Sequence, residues 1–436
     1  MRSYKITCSK TKYFFLALFF FAINIIYGQK ATISDKIYVK EIEKLVKHKS
    51  VKDAFKVIDE IDEQTMEDLI TLTEIPAPPF QETKRAKEFK LLLENAGADK
   101  VWIDEVGNVI ALKKGTDGSK IVVLDAHLDT VFPEDTDVVV QQKGDTLYAP
   151  GIGDDTRGLT MVIAVLKAIN RANIRTKSDI LFIGSVGEEG LGDLRGVKHI
   201  LANKKTKIDS WISIDGGRIG RINNAALGSI RYRAIFKGKG GHSWGAFGLA
   251  NPHHAMGIAI SHFTSSASKY TSQGPKTSFN IGRIGGGTSV NSIPFESWME
   301  VDMRSVNEDR LKQIDSIFKS SMHEALANYN NSGVKDSIHV ELVKIGDRPS
   351  GEVSVDTPLI QRSIAVSNFF KANTKLTRGS TNANIPISMG IPAVTIGRGG
   401  EGGGAHSLGE WWMNKNGSDA IKLALLLTVV ETELVR

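Results

Sequence analysis

Short, nearly continuous apolar runs recur along the chain and end at acids or glycines. KIVVLDA from Lys120, SDILFIGSV from Ser178, DSWISI from Asp209 and IPAVTIG from Ile391 read as buried strands. TRGLTMVIAVLKAI, from Thr156, predicts a helix. The segment from Ser34 to Asn95 carries apolar residues at three- and four-residue spacing and predicts helices, broken at Ile75-Pro76-Ala77-Pro78-Pro79. After Asp215 the pattern changes. SIRYRAIFKG predicts a strand, ANPHHAMGIAISHFTSS a helix, TSFNIGRIGGG and SWMEVDMRSV two strands, NEDRLKQIDSIFKSSMHEALANY a long helix and SIHVELVKIG a last strand. That β-α-β-β-α-β order predicts a two-layer ferredoxin-like unit.

The first residues stand apart. MRSYKITCSKTK carries four basic and no acidic residues, and the apolar run YFFLALFFFAINIIYG follows it. Residues 1–28 therefore read as a secretory signal peptide, with an uncleaved membrane anchor as the alternative. Cys8, the one cysteine, lies ahead of the run, so the mature part needs no disulfide and suits an exported bacterial protein, periplasmic or secreted. The net charge of +6 comes from 55 basic and 49 acidic residues. Without Arg2, Lys5, Lys10 and Lys12 it falls to +2, which gives no support for a nucleic-acid partner. Nor does stable membrane association follow once the signal is removed. The full chain of 436 residues is long enough for two domains.

The chemistry gathers where the predicted strands end. His127 and Asp129 are two apart, so an extended chain points both to one side. Gly151 and Gly153 prepare a tight turn before Asp154 and Asp155, and that acidic pair at a helix start calls for compensating positive charge. Other strands run into Glu188-Glu189 and Asp215, and the glycine-rich RGGEGGG, which reads as flexible, leads to His406. Any one of these turns is explained by backbone hydrogen bonding alone. Their convergence on one rim points instead to a two-metal hydrolase with its own general base.

The motifs HxD, GxGDD, GEEG, DGG and AHS, in this order, resemble the M20 family of co-catalytic zinc metallopeptidases. SxxAN, IPAVTIGRGG and AHSLGEW look like its tripeptide-aminopeptidase-like (peptidase T-like) branch. The resemblance implies an α/β zinc-peptidase catalytic domain, with a central mixed sheet and helices on both faces, and an inserted ferredoxin-like α+β lid and dimerisation domain. The expected boundaries are 29–226 and 348–436 for the catalytic domain and 227–347 for the insertion. His127 and Asp215 would hold one divalent ion, Glu189 and His406 the other, and Asp154 would bridge them. Asp129 would orient His127, Glu188 would be the general base, and the Asp154-Asp155 peptide would be cis. Zinc is the first expectation for both ions, with cobalt or manganese as alternatives.

The resemblance also implies substrate contacts. His242 in KGKGGHSWG would help hold the oxyanion, often across a homodimer, and Asn291 and Arg304 would contact substrate. Many relatives write HxG where this chain has His242-Ser243-Trp244. Ser380 and Asn384 belong to a second candidate pocket, in which Asn382 stands where Asp is common. The function implied is hydrolysis of amide bonds in short peptides, as an aminopeptidase or tripeptidase. The alternatives are an N-acyl-amino-acid deacylase or dipeptidase of the same family, or a secreted binding protein without turnover. The exported form is expected to begin at Gln29 or Lys30, which N-terminal sequencing checks; a mature chain still starting at Met1 in the membrane fraction would overturn this reading.

Overall fold

The structure, a computed structural model, describes residues 33–118, 120–203 and 207–435. The signal segment expected at 1–28 lies outside them. Among the described residues no helix is long and apolar enough to cross a membrane.

A nine-stranded mixed sheet forms the centre. Four neighbouring strands run parallel: Asp179–Ser185, Ile121–His127, Ser210–Ile214 and Ala393–Ile396. Antiparallel strands Val109–Lys113 and Lys100–Ile103 extend one side. On the other, Arg221–Ala226 pairs with Ala393–Ile396 and also with Gly351–Glu352 and Lys375–Gly379. The apolar runs are continuous because both faces of these strands are covered. Val122, Leu124, Ile180 and Phe182 join one core with Leu159, Val162 and Leu426. Val123, Leu181, Ile183 and Trp211 join a second with Val197 and Ile200.

The amino-terminal region forms helices Lys36–Leu45, Lys49–Glu60, Asp62–Thr73 and Thr83–Asn95, with the expected break between the last two. In the second, Val51, Ala54, Val57 and Ile58 share the buried face. Helix Gly158–Arg171 begins two residues later than its apolar pattern suggests, because residues 152–157 make a wide turn in which Asp154 and Asp155 are not helical. The RGGEGGG segment is more ordered than its glycines imply: Glu401–Gly403 is a strand paired with Trp411–Met413.

Between the strands Arg221–Ala226 and Gly351–Glu352, the chain builds a four-stranded antiparallel sheet. Its order is Thr277–Gly286, Glu296–Ser305, Gly228–Lys237, His339–Arg348. Helices Pro252–Thr271 and Glu308–Asn330 pack on one face, giving the ferredoxin-like order. Along Glu296–Ser305, Met299, Val301 and Met303 point into this core, while Trp298, Glu300, Asp302 and Arg304 alternate on the other face. Phe318 is fully buried and meets the rings of Tyr232 and Phe263, each at 5.2 Å between centroids. Phe318→Ala is expected to cost about 3–5 kcal/mol through the lost burial and the cavity left behind. Denaturant unfolding checks this, and an unchanged midpoint would show that the helix repacks.

Candidate metal centre

All four parallel strands release their chains at one edge. His127 closes one strand, Glu188 and Glu189 follow a second, Asp215 follows a third and Arg398 the fourth. The His127 ring is aimed from behind: Nδ1 lies 2.9 Å from the backbone oxygen of Asp129, leaving Nε2 3.4 Å from Asp154 Oδ1. The other Asp154 oxygen, Oδ2, is 3.4 Å from His406 Nε2, which in turn lies 2.8 Å from Glu189 Oε1. One carboxylate thus faces two imidazoles. His127, Asp154 and Glu189 each offer a ligand atom within 4.8 Å of the others, a group able to hold a metal ion.

The turn that presents Asp154 is held by a residue that motif reading overlooked. Glu410 is buried, and its carboxylate accepts the amides of Gly151 at 2.8 Å, Gly153 at 3.0 Å and Asp154 at 2.9 Å. Gly151 has φ of 79°, a conformation that favours glycine, and the Asp154-Asp155 peptide is cis. Glu410 sits four residues after His406, so one loop supplies an imidazole and anchors the turn opposite it. An acid so soon after the AHS motif was the available signal.

Asp129 works differently from the expectation. Its carboxylate lies 3.8 Å from His127 Nδ1 and is engaged elsewhere, accepting the backbone amides of Glu188 at 2.9 Å and Glu189 at 2.7 Å. It therefore orients the two glutamates through its side chain and His127 through its backbone. Glu188 is buried, and Arg348 Nη1 donates to its Oε1 at 3.1 Å and to Ser380 Oγ at 3.1 Å.

The electrostatics describe a site short of positive charge. Burial pushes Glu188 up to about 8, helped by Glu189 and opposed by Arg348, and pushes Asp215 up to about 6, helped by Asp154. Burial also disfavours charge on His127, yet Asp154, Asp155, Glu188 and Asp129 together hold its pKa well above the ordinary imidazole range. His406, hydrogen-bonded to Asp154 and Glu189, is pushed up to about 10. Against its own burial, Asp154 is held well below the usual carboxylate range by the two imidazoles and Arg398. The cluster draws protons onto both imidazoles and onto Glu188 and Asp215, which is what a carboxylate-rich site does when cations are its natural complement. The mixed imidazole and carboxylate donors suit a divalent ion such as zinc.

A cleft of about 570 Å³ opens over this edge. Asp154, Glu188, Glu189, Asp215, Arg304, Ser380 and His406 line it, as do the unexpected Arg221, Arg231, Arg348 and Arg398. Asn384 does not line it. Its buried amide accepts from Thr381 N and donates to the backbone oxygens of Leu227 and Pro349, so it holds a chain junction instead of contacting substrate. His242 and Asn291 are also outside the cleft. They lie beside each other on an exposed ribbon, with the Ser243 amide on the Asn291 oxygen and His242 Nδ1 accepting from Trp244 N at 3.2 Å. Trp244 is 87% exposed, so within this chain it does not narrow the pocket. Asn382 has a clear role: its Nδ2 donates at 2.6 Å to Asp125, a buried carboxylate that also accepts from Trp211 and Ser213. An ionised aspartate at 382 could donate nothing there.

Residues 123–427 match the model of Peptidase family M20/M25/M40. The chain is 25% identical over 355 residues to the uncharacterized protein YqjE of Bacillus subtilis, spanning 77% of this chain and 90% of that one. It is 26% identical over 271 residues to N-acetylcysteine deacetylase of the same organism, 59% of this chain and 69% of the other. The crystal structure of aminopeptidase PepT from Bacillus cereus superposes with a TM-score of 0.66 at 20% identity, covering 85% of this chain and 99% of that one, a likeness of fold.

Glu410→Gln keeps the side chain's shape but leaves one oxygen to serve three amides. The variant is expected to lose about 1–3 kcal/mol of stability. It should also bind added zinc about tenfold more weakly in isothermal titration calorimetry, because Asp154 is no longer held in place. Unchanged zinc affinity would show that the turn stands without Glu410.

Proposed function

The chain belongs to peptidase family M20/M25/M40, and from that premise we propose that it is an exported two-metal peptidase that hydrolyses amide bonds of short peptides, as an aminopeptidase or tripeptidase. The observation that carries this reading is Asp154, whose two oxygens face two imidazoles, with a separate buried glutamate beside it. In this assignment His127, Asp154, Glu189, Asp215 and His406 would hold the two ions. Two divalent ions held there would lower the pKa of water and polarise the scissile carbonyl.

The chain's own residues supply the remainder. Glu188 takes the water proton and passes it to the leaving amine. Its burial favours holding that proton, and the hydrogen bond from its backbone amide to the Asp129 carboxylate and its ion pair to Arg348 fix its position. Arg304 offers its guanidinium to a substrate carboxylate, and Ser380 also lines the cleft. The inserted segment acts as the lid, and closing it excludes water from the cleft. His242, exposed within its own chain, enters this scheme through a homodimer that delivers it to a second copy's cleft. Export rests on the amino-terminal segment, and zinc on the donor set.

A second reading, deacylation of N-acyl amino acids, is favoured by the likeness to N-acetylcysteine deacetylase. The same proton transfers serve both amides. Parallel panels of tripeptides and N-acyl amino acids, with zinc-loaded protein, separate the two, and failure to hydrolyse either favours a binding protein. Glu188→Gln is expected to retain folding and metal content while kcat falls about 10²- to 10⁴-fold, the range of a lost general base. Near-native turnover with full metal content would remove Glu188 from that role.

A further inference from the structure

Two arginines on the cleft side of the inserted sheet share one carboxylate. Asp302 Oδ1 accepts from Arg231 Nε at 2.8 Å, and Asp302 Oδ2 accepts from Arg304 Nε at 2.7 Å. Asp302 stands directly opposite Arg231 in the ladder, and Arg304 is the next residue along the same face of its strand. Each guanidinium is therefore tethered to Asp302 through Nε, which leaves its terminal nitrogens to other partners. Arg231 Nη1 donates onward to the Gly190 oxygen at 3.0 Å, next to Glu189. Among the described residues the terminal nitrogens of Arg304 have no hydrogen-bond partner, and both arginines line the cleft.

The space that Arg231 occupies is built into the neighbouring strand. His339–Arg348 shifts register between Lys344 and Gly346, which places Gly346 opposite Arg231. A Cβ at Gly346 would stand 3.1 Å from Arg231 Cδ and 3.3 Å from its Cβ, so a larger residue would crowd the side chain. Charge in the cleft agrees with this construction. Of the five lining arginines, Arg348 pairs with Glu188, Arg398 lies 3.7 Å from Asp154 and Arg221 donates from Nε to Asn223. Arg231 and Arg304 have only Asp302 between them, a surplus of one positive charge held beside the site of hydrolysis.

We propose that Arg231, Asp302 and Arg304 form a clamp for two carboxylates, selecting substrates whose lid-side end is a dicarboxylate, such as a peptide or acyl group ending on glutamate or aspartate. A planar guanidinium matches one carboxylate, so two held side by side take the terminal carboxylate and the acidic side chain together. The inference rests on the amide-hydrolase reading for the orientation of substrate, but binding tests it independently of turnover.

With the zinc-loaded full chain, isothermal titration calorimetry should find free glutamate binding about tenfold more tightly than glutamine. Arg231→Met should reduce that ratio to about threefold or less. Arg231→Lys, which keeps the charge without the planar donor pair, should fall between, and its melting temperature guards against a merely misfolded variant. In turnover, Ala-Ala-Glu should exceed Ala-Ala-Gln in kcat/KM by a similar factor, chiefly through KM. Equal binding of glutamate and glutamine, or a preference that survives Arg231→Met, overturns the clamp. Hydrolysis of both peptides without preference would likewise sink the clamp and leave the peptidase reading standing. Preferred glutamate binding with no amide hydrolysis would uphold the clamp and sink the peptidase reading.

Discussion

The crowding of carboxylates around Asp154 is the constraint on which the rest of the structure turns. Four parallel strands end at one edge, so the sheet itself brings His127, Glu188, Glu189 and Asp215 together, and the 154–155 turn, held by Glu410, meets them there. Left alone such acids repel, and burial makes each ionised form costlier. The fold answers with backbone amides: Asp129 accepts two and Glu410 three, so buried anions are stabilised by the very segments whose functional acids they orient. Buried Arg85 adds its charge near Asp129 while donating to the backbone oxygens of Ile75 and Leu128. Arg398 adds its charge beside Asp154. The side chains facing the cleft are thereby left available to cations and substrate.

The parts of this arrangement that were legible in the sequence are those with a short period or a short spacing. Apolar runs marked the buried strands because both faces are covered, and alternation marked the inserted sheet because one face is not. His127, Asp154, Glu189 and His406 could be read as one site because each follows a strand or a glycine turn. What stayed hidden depends on contacts between residues far apart in sequence. Asn384 looked like a pocket residue, and only the fold shows its amide bonded to backbone from Leu227 and Pro349. Arg231 looked like an ordinary strand residue, since neither the opposing Asp302 nor the bulge at Gly346 is visible before strands are paired. The Asn382 departure is likewise explained by Asp125, 257 positions away.

The inserted unit and the catalytic sheet meet through the segment that follows Glu188 and Glu189. Arg231 donates to the Gly190 oxygen, the Asp347 amide donates to Asp193, and Arg348 reaches both Glu188 and Ser380. Arg348 ends the last strand of the insertion. The position of that unit therefore acts on the charge of Glu188 as well as on the shape of the cleft: burial pushes the carboxyl up, and the arginine brought by the insertion pulls it down. A glutamate on a rigid turn with no such partner would answer to burial alone. Here the sheet that carries Arg231 and Arg304 on two of its strands carries on a third Arg348, the cation that balances Glu188, so the proposed clamp and the proton affinity of the buried acid depend on the placement of one sheet.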